Sequence, residues 1–204
     1  MEDLYEIKLY FAYTSPFTYL AMAPAYALEQ THRVKLRFIA YGVNIRRVYG
    51  DVPTRGERDR RKLHYLYLDA RRFAKERGLI IYPPKKIYSA RLAFYGGFCA
   101  GDQGLFRPYA DRVFERFWKS ELEVEDPRAL AAILTEAGAD TTKFNLYTEN
   151  EGEEAKPRLK ACFAEAERDG VFGVPTFVVD GELFWGYDRV PWVVKKLDSM
   201  KLRR

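Results

Sequence analysis

Strand patterning is confined to the two ends of this chain, and the long stretch between them is helical. Residues 5–13, YEIKLYFAY, alternate and end in an aromatic run, the period-two signature of a β-strand. Residues 34–41, VKLRFIAY, repeat it. Between them a short turn, Thr14-Ser15, leads to Pro16, where the first position of a helix tolerates proline, and FTYLAMAPAYALEQ carries that helix to about Gln30. Pro24 inside it predicts a kink. A strand, a helix and a second strand in this order predict a right-handed parallel βαβ unit. Strands return only after residue 170, where TFVV and ELFW flank Asp180-Gly181, the strongest short hairpin signal. A last helix is expected over 189–200.

The middle of the chain has no strand signal and no internal repeat. Apolar and aromatic residues at helical spacing predict helices at 57–77, 88–101, 105–119, 127–137, 140–147 and 152–168. Gly78 stops the first, and Asp126-Pro127 is a capping residue followed by proline, a good helix start. The order is therefore βαβ, helical block, ββα. That is an α/β, thioredoxin-like fold (1–54 and 169–204) interrupted by an inserted all-helical domain (55–168).

Composition narrows the function classes. Hydrophobic residues make up 48% and charged residues 31% of the 204, which excludes a disordered chain. No stretch approaches 18 apolar residues, so no membrane span is expected. The acidic, amphipathic N-terminus argues against a secretory signal. Cys99 and Cys162 form no CxxC pair and read as small buried hydrophobes in a reducing, cytoplasmic setting. The net charge is +5, with basic residues gathered at Arg46, Arg47, Arg55, Arg58, Arg60, Arg61 and Lys62, then Arg71 and Arg72. Glu57, Asp59 and Asp69 are interleaved, so this reads as a solvated helix face, and no nucleic-acid partner is expected. The two histidines, His32 and His64, join no cluster with metal-ligand spacing, so no metal is expected. His64 reads as a surface residue.

The chemistry centres on Thr14-Ser15-Pro16. Ser15 stands where a strand gives way to a helix, beside backbone N–H groups without partners and at the positive end of the helix dipole. Such a place binds anions, and in redox proteins it holds a cysteine of lowered pKa. Serine cannot exchange disulfides, but its hydroxyl can donate to a thiolate brought in by a cofactor. Taken alone, Ser15 reads more readily as a plain N-cap, since Ser-Pro opening a helix is common. The second element is Gly173-Val174-Pro175-Thr176, a proline at the start of a strand, where no ladder donor is needed.

Three segments carry a resemblance: LYFAYTSPFTYLA at 9–21, KLHYLYLDARRFA at 62–74 and, most specific, GVFGVPTFVVDGELFWGYDR at 170–189. In these the chain resembles the 2-hydroxychromene-2-carboxylate isomerases and kappa-class glutathione transferases, which share a DsbA-like thioredoxin fold. The resemblance implies glutathione as cofactor, a cis peptide before Pro175, and Ser15 as the residue that stabilises the glutathione thiolate. It implies that the Val174 backbone pairs with the cysteinyl part, that Trp185, Tyr187 and Asp188 lie in the loop holding the γ-glutamyl end, and that Lys62 lies near the glycine end. Asp188 could equally cap the final helix. Tyr88, with Tyr65 and Tyr67, could line a pocket for a small aromatic substrate, though core packing is the commoner fate of tyrosines. The activity implied is cis–trans isomerisation of an aromatic chromene or benzylidenepyruvate-like acid, with glutathione transfer as the alternative. A non-catalytic DsbA-like module binding a peptide or thiol is the alternative of another class. The resemblance also implies a homodimer.

Overall fold

The computed structural model describes residues 4–42, 56–149 and 152–204. The chain divides into two compact units, Met1–Val43 with Cys162–Arg204, and Asn44–Ala161. The expected first boundary at 54/55 lies outside the described residues, as do Arg46, Arg47 and Arg55. The second boundary falls at 161/162 where the pattern places 168/169. The reason is packing: Cys162 and Ala166 lie against Tyr10, Ile39 and Val178 of the first unit.

The first unit contains strands β1 (Tyr5–Phe11) and β2 (Val34–Ala40), joined by helix α1 (Pro16–Thr31), then β3 (Thr176–Val179), β4 (Glu182–Trp185) and the closing helix α8 (Val190–Ser199). The described sheet has the order β2-β1-β3-β4. Strand β1 is parallel to β2 and antiparallel to β3, which is antiparallel to β4. Alternation explains the layering. Ile7, Leu9 and Phe11 are buried on one face, while Lys8 and Tyr10 fall on the other. Strand β1 stops at Phe11 rather than 13 because the Ser15 N–H donates to the Ala12 carbonyl at 3.1 Å, closing a turn. Asp180 and Gly181 have φ of 53° and 74°, the two left-handed residues that a tight hairpin with the sheet's own twist requires.

Two long-range devices hold this unit together. Lys8 Nζ lies 2.9 Å from Glu165 and 2.7 Å from Asp169, the Tyr10 hydroxyl donates to Asp169 at 2.6 Å, and Arg37 pairs with Glu165 and Glu6. At the other end His32 is buried, with Nδ1 2.8 Å from Thr31 Oγ1 and Nε2 3.1 Å from Asp198, which Arg203 grips with two bonds.

The second unit comprises α2 (Glu57–Glu76), α3 (Arg91–Asp102), α4 (Phe106–Trp118), α5 (Pro127–Glu136), α6 (Thr142–Glu149) and the first half of α7 (Ala155–Arg168). Asp126 caps α5 by accepting from the Arg128 N–H at 2.9 Å. Helix α3 begins at Arg91, three residues later than expected. Glu125 accepts from the Ser89 N–H at 2.8 Å and from Lys86 at 2.6 Å, which holds that segment outside the helix. Tyr109, Phe114, Trp118 and Phe144 are fully buried, and the Tyr109 hydroxyl donates to the Ala93 carbonyl at 3.0 Å. Among the described residues no helix is long and apolar enough to cross a membrane.

Candidate active site

Ser15 is the N-cap of α1. Its backbone is extended (φ −99°, ψ 117°), and its Oγ accepts from the Thr18 N–H at 3.2 Å, with Pro16 opening the helix behind it. No acidic residue occupies the first turn, so the positive end of the helix dipole is not neutralised there. The Ser15 hydroxyl also donates to the Val174 carbonyl at 3.4 Å, the long limit of a hydrogen bond. The Val174-Pro175 peptide is cis. The sheet makes this meeting possible: Tyr10 stands opposite Thr176, so the loop entering β3 lies beside the turn leaving β1.

The rest of the loop is pinned by its own bonds. Thr176 Oγ1 donates to the Gly173 carbonyl and the Gly186 N–H to the Pro175 carbonyl, both at 2.8 Å. Trp185 is the last residue of β4, in register with Thr176, and not part of the loop expected from sequence. Its indole covers Gly173 so closely that a Cβ there would come within 2.6 Å of Nε1. Phe172 meets its face edge-on at 4.8 Å, and both rings are exposed. Tyr187 and Asp188 form a single 3-10 turn, Tyr187–Arg189, rather than an open loop. The Tyr187 ring stacks on Phe17 of α1 at 5.7 Å, which ties the turn to the helix that starts at Ser15. Asp188 does not cap the final helix. That cap is Arg189, without a side-chain bond; the half-exposed Asp188 carboxylate accepts from Arg189 at 2.6 Å and folds over Gly186.

Five of the expected site residues, Ser15, Val174, Trp185, Tyr187 and Asp188, thus gather around Pro175 in the first unit. Lys62 and Tyr88 belong to the second. Lys62 is exposed on α2. Tyr88 precedes α3, half-buried, edge-on to Phe117 at 5.4 Å and beneath Lys86 at 4.8 Å. Nearby on α2, Arg60, His64, Tyr67 and Arg71 line an open groove of about 550 Å³ with Pro83 and Pro84. Both cysteines are free, and burial pushes the Cys99 thiol up to about 11, leaving it a poor nucleophile. Among the described residues no group of three or more His, Cys, Asp or Glu could hold a metal ion.

Sequence reasoning placed Thr18 and Gly173 in the motifs but missed how each packs, and it missed Phe17. Thr18 is fully buried in the first turn of α1, and its hydroxyl has no hydrogen-bond partner among the described residues. The spacing Ser-x-x-Thr at a helix start was the available signal for it. A glycine immediately before Val-Pro was the signal for Gly173. Nothing local announces the Phe17–Tyr187 stack.

These features define a thioredoxin-fold protein that begins its first helix with serine instead of a redox cysteine. The DSBA-like thioredoxin domain family matches residues 6–198, and the chain belongs to it. Within that family it is similar to the 2-hydroxychromene-2-carboxylate isomerase of Pseudomonas putida, 29% identical over 187 residues and 90% of each chain. It is also similar to the enzyme of that name from Sphingobium xenophagum, 24% identical over 92% of this chain and 95% of the relative. A solved 2-hydroxychromene-2-carboxylate isomerase superposes with a TM-score of 0.78 at 27% identity, over 96% of this chain and 95% of the other. The cytosolic disulfide reductase DsbM of Pseudomonas aeruginosa shares the fold, with a TM-score of 0.66 at 15% identity over 95% and 99% of the two chains.

Proposed function

We propose that this protein is a glutathione-dependent cis–trans isomerase of the 2-hydroxychromene-2-carboxylate isomerase type, acting on aromatic chromene or benzylidenepyruvate-like acids. Similarity to enzymes of that name over nine-tenths of both chains supports the isomerase class. The observation that carries the chemistry is the Ser15 hydroxyl at the head of α1, within hydrogen-bond reach of the carbonyl before cis-Pro175. The residues fit a peptide-like thiol. A hydroxyl and a helix N-terminus suit a thiolate, a main-chain carbonyl suits an amide, and the half-exposed carboxylate of Asp188 suits an ammonium.

Glutathione, when bound, supplies a thiolate that adds reversibly to a conjugated double bond, so that the bond can rotate before the thiol leaves. A free thiol with a pKa of about 8.5 is only a few per cent ionised at neutral pH. The work of the protein is to lower that pKa. Ser15 donates to the sulfur, the N-terminus of α1 adds its partial positive charge, and Asp188 orients the far end. Disulfide exchange is disfavoured because Ser15 and Thr18 hold the positions where a redox relative has its cysteine pair.

Ser15→Ala is expected to lower glutathione-dependent turnover by roughly 10²-fold, the usual cost of a preorganised donor. Full turnover in the variant would overturn this role. Product analysis separates the alternatives: a rearranged substrate supports isomerisation, and a glutathione conjugate means transfer. Absence of heat on titrating millimolar glutathione would favour the non-catalytic module. The reading extends to a homodimer in the cytoplasm. Exposed Phe172, Trp185 and Trp192 support the first, and two free cysteines support the second. Light scattering in solution tests the dimer.

A further inference from the structure

Helix α2 carries a second charged flank. Arg60, His64, Tyr67 and Arg71 recur at i, i+4, i+7 and i+11 and so share one side of the helix. At about 100° per residue, Lys62 stands roughly 180–200° away from Arg60, His64 and Arg71, on the other side. The groove on the Arg71 side is bounded by Pro83 and Pro84 and holds about 550 Å³, the size of a small-molecule site. None of the described residues that line it is acidic. Two acids of α2 are already taken, Glu57 facing Arg61 at 3.8 Å and Asp69 facing Arg72 at 3.5 Å. Arg71 has no carboxylate partner among the described residues. Its one bond there runs from Nε to the Tyr67 carbonyl at 3.3 Å. That bond turns the guanidinium back along the helix toward His64 and leaves both Nη groups as donors.

The walls of the groove are apolar and tied to one residue. The Trp118 ring lies 6.5 Å from Tyr67, and the Trp118 carbonyl accepts from the Tyr82 N–H at 2.8 Å, next to Pro83. Two consecutive prolines have fixed φ and no N–H, so that wall presents only apolar rings to a ligand. Trp118 is fully buried, and its indole N–H has no acceptor among the described residues, an uncompensated donor dipole behind Tyr67. We infer that this groove binds a flat aromatic carboxylate. The Arg71 fork takes the carboxylate, His64 adds a ring N–H, Arg60 adds positive charge, and the aromatic body lies between Tyr67 and the proline wall. A planar fork matches a carboxylate with two parallel bonds, which a lysine does not. Every lining residue belongs to the second unit, so the site stands independently of the glutathione reading.

The probe is 2-naphthoate, titrated calorimetrically into the full chain at low salt without glutathione. The expected result is saturable one-to-one binding that Arg71→Met weakens about tenfold, the order of one charge-assisted hydrogen bond. Arg71→Lys, which keeps the charge and loses the fork, is expected to weaken it nearly as much. Lys62→Met removes the same charge from the opposite side of α2 and is expected to change affinity less than twofold. A second readout is the Trp118 indole N–H signal in nitrogen-15 spectra, distinguished from the other two tryptophans by Trp185→Phe and Trp192→Phe. It is expected to shift on titration with the same affinity. Absence of saturable heat at millimolar 2-naphthoate, or an unmoved Trp118 signal, overturns the site. Equal losses in Arg71→Met and Lys62→Met mean general charge attraction and overturn the groove assignment. Inorganic phosphate binding as tightly as 2-naphthoate overturns the aromatic ligand class.

Discussion

At the scale of single residues, two glycines separate packing from function. A Cβ on Gly96 would overlap the Tyr109 phenol, which is fully buried and bonded to the Ala93 carbonyl. The ring has nowhere to go, so Gly96→Ala is expected to cost about 1–3 kcal/mol in urea denaturation, the usual range for overpacking. A Cβ on Gly173 meets Trp185 Nε1 instead, and Trp185 is 53% exposed. That indole can swing away, so Gly173→Ala is expected to leave the urea midpoint nearly unchanged while shifting tryptophan fluorescence and weakening glutathione binding. Equal stability losses at both positions would contradict this contrast. Ser15 was legible from its position before Pro16, because capping chemistry is local. Its meeting with Val174 required the sheet, since 159 residues separate them.

At the scale of elements, the ion-pair staple joins β1 and β2 to the end of α7 and sets an acid limit on stability. Burial by itself pushes the Asp169 and Glu165 carboxyls up. Hydrogen bonds and charge from Lys8 on the first, and from Arg37 and Lys8 on the second, outweigh burial and hold both below their ordinary 3.8 and 4.5. Burial and the Asp169 bond push the Tyr10 phenol far up, so it stays a neutral donor. Folded-state pKa values below the unfolded ones mean that the staple contributes fully above about pH 4.5. The contribution is lost as pH falls through the lowered values. The urea-midpoint gap between wild type and a Glu165→Gln/Asp169→Asn double variant is expected to be widest near pH 7 and to shrink below about pH 4. A gap independent of pH would sink this account. None of it could be read in the sequence, because a lysine on a strand, an acid on a distant helix and a second acid just past that helix's end share no local pattern. The Asp180-Gly181 hairpin was readable because both left-handed residues sit in the dipeptide itself. Tyr88 was misjudged as helical because the residue that holds it outside, Glu125, comes from another part of the chain.

At the scale of the whole molecule, one unit is continuous in sequence and the other is made from the two ends. Helical spacing revealed the first and strand patterning the second, which is why the architecture was legible when most individual contacts were not. A chain ending at Gly170 lacks β3, β4 and α8, so β1 loses a pairing neighbour and the turn stacked on Phe17 is gone. Hydrogen exchange on that truncated chain is expected to show unprotected amides in residues 5–40, with protection retained in residues 91–149. Protection of residues 5–40 at wild-type levels would mean that β1, α1 and β2 stand without their later partners.

The separation of Ser15 from Val174 along the chain also has a consequence in time. Ribosomes add roughly 5–20 residues per second, so the carbonyl follows the hydroxyl out of synthesis by about ten to thirty seconds. Throughout that interval the nascent chain carries Ser15 without the carbonyl it pairs with, and a message cut short before its last few dozen codons yields a product in which that pair never forms.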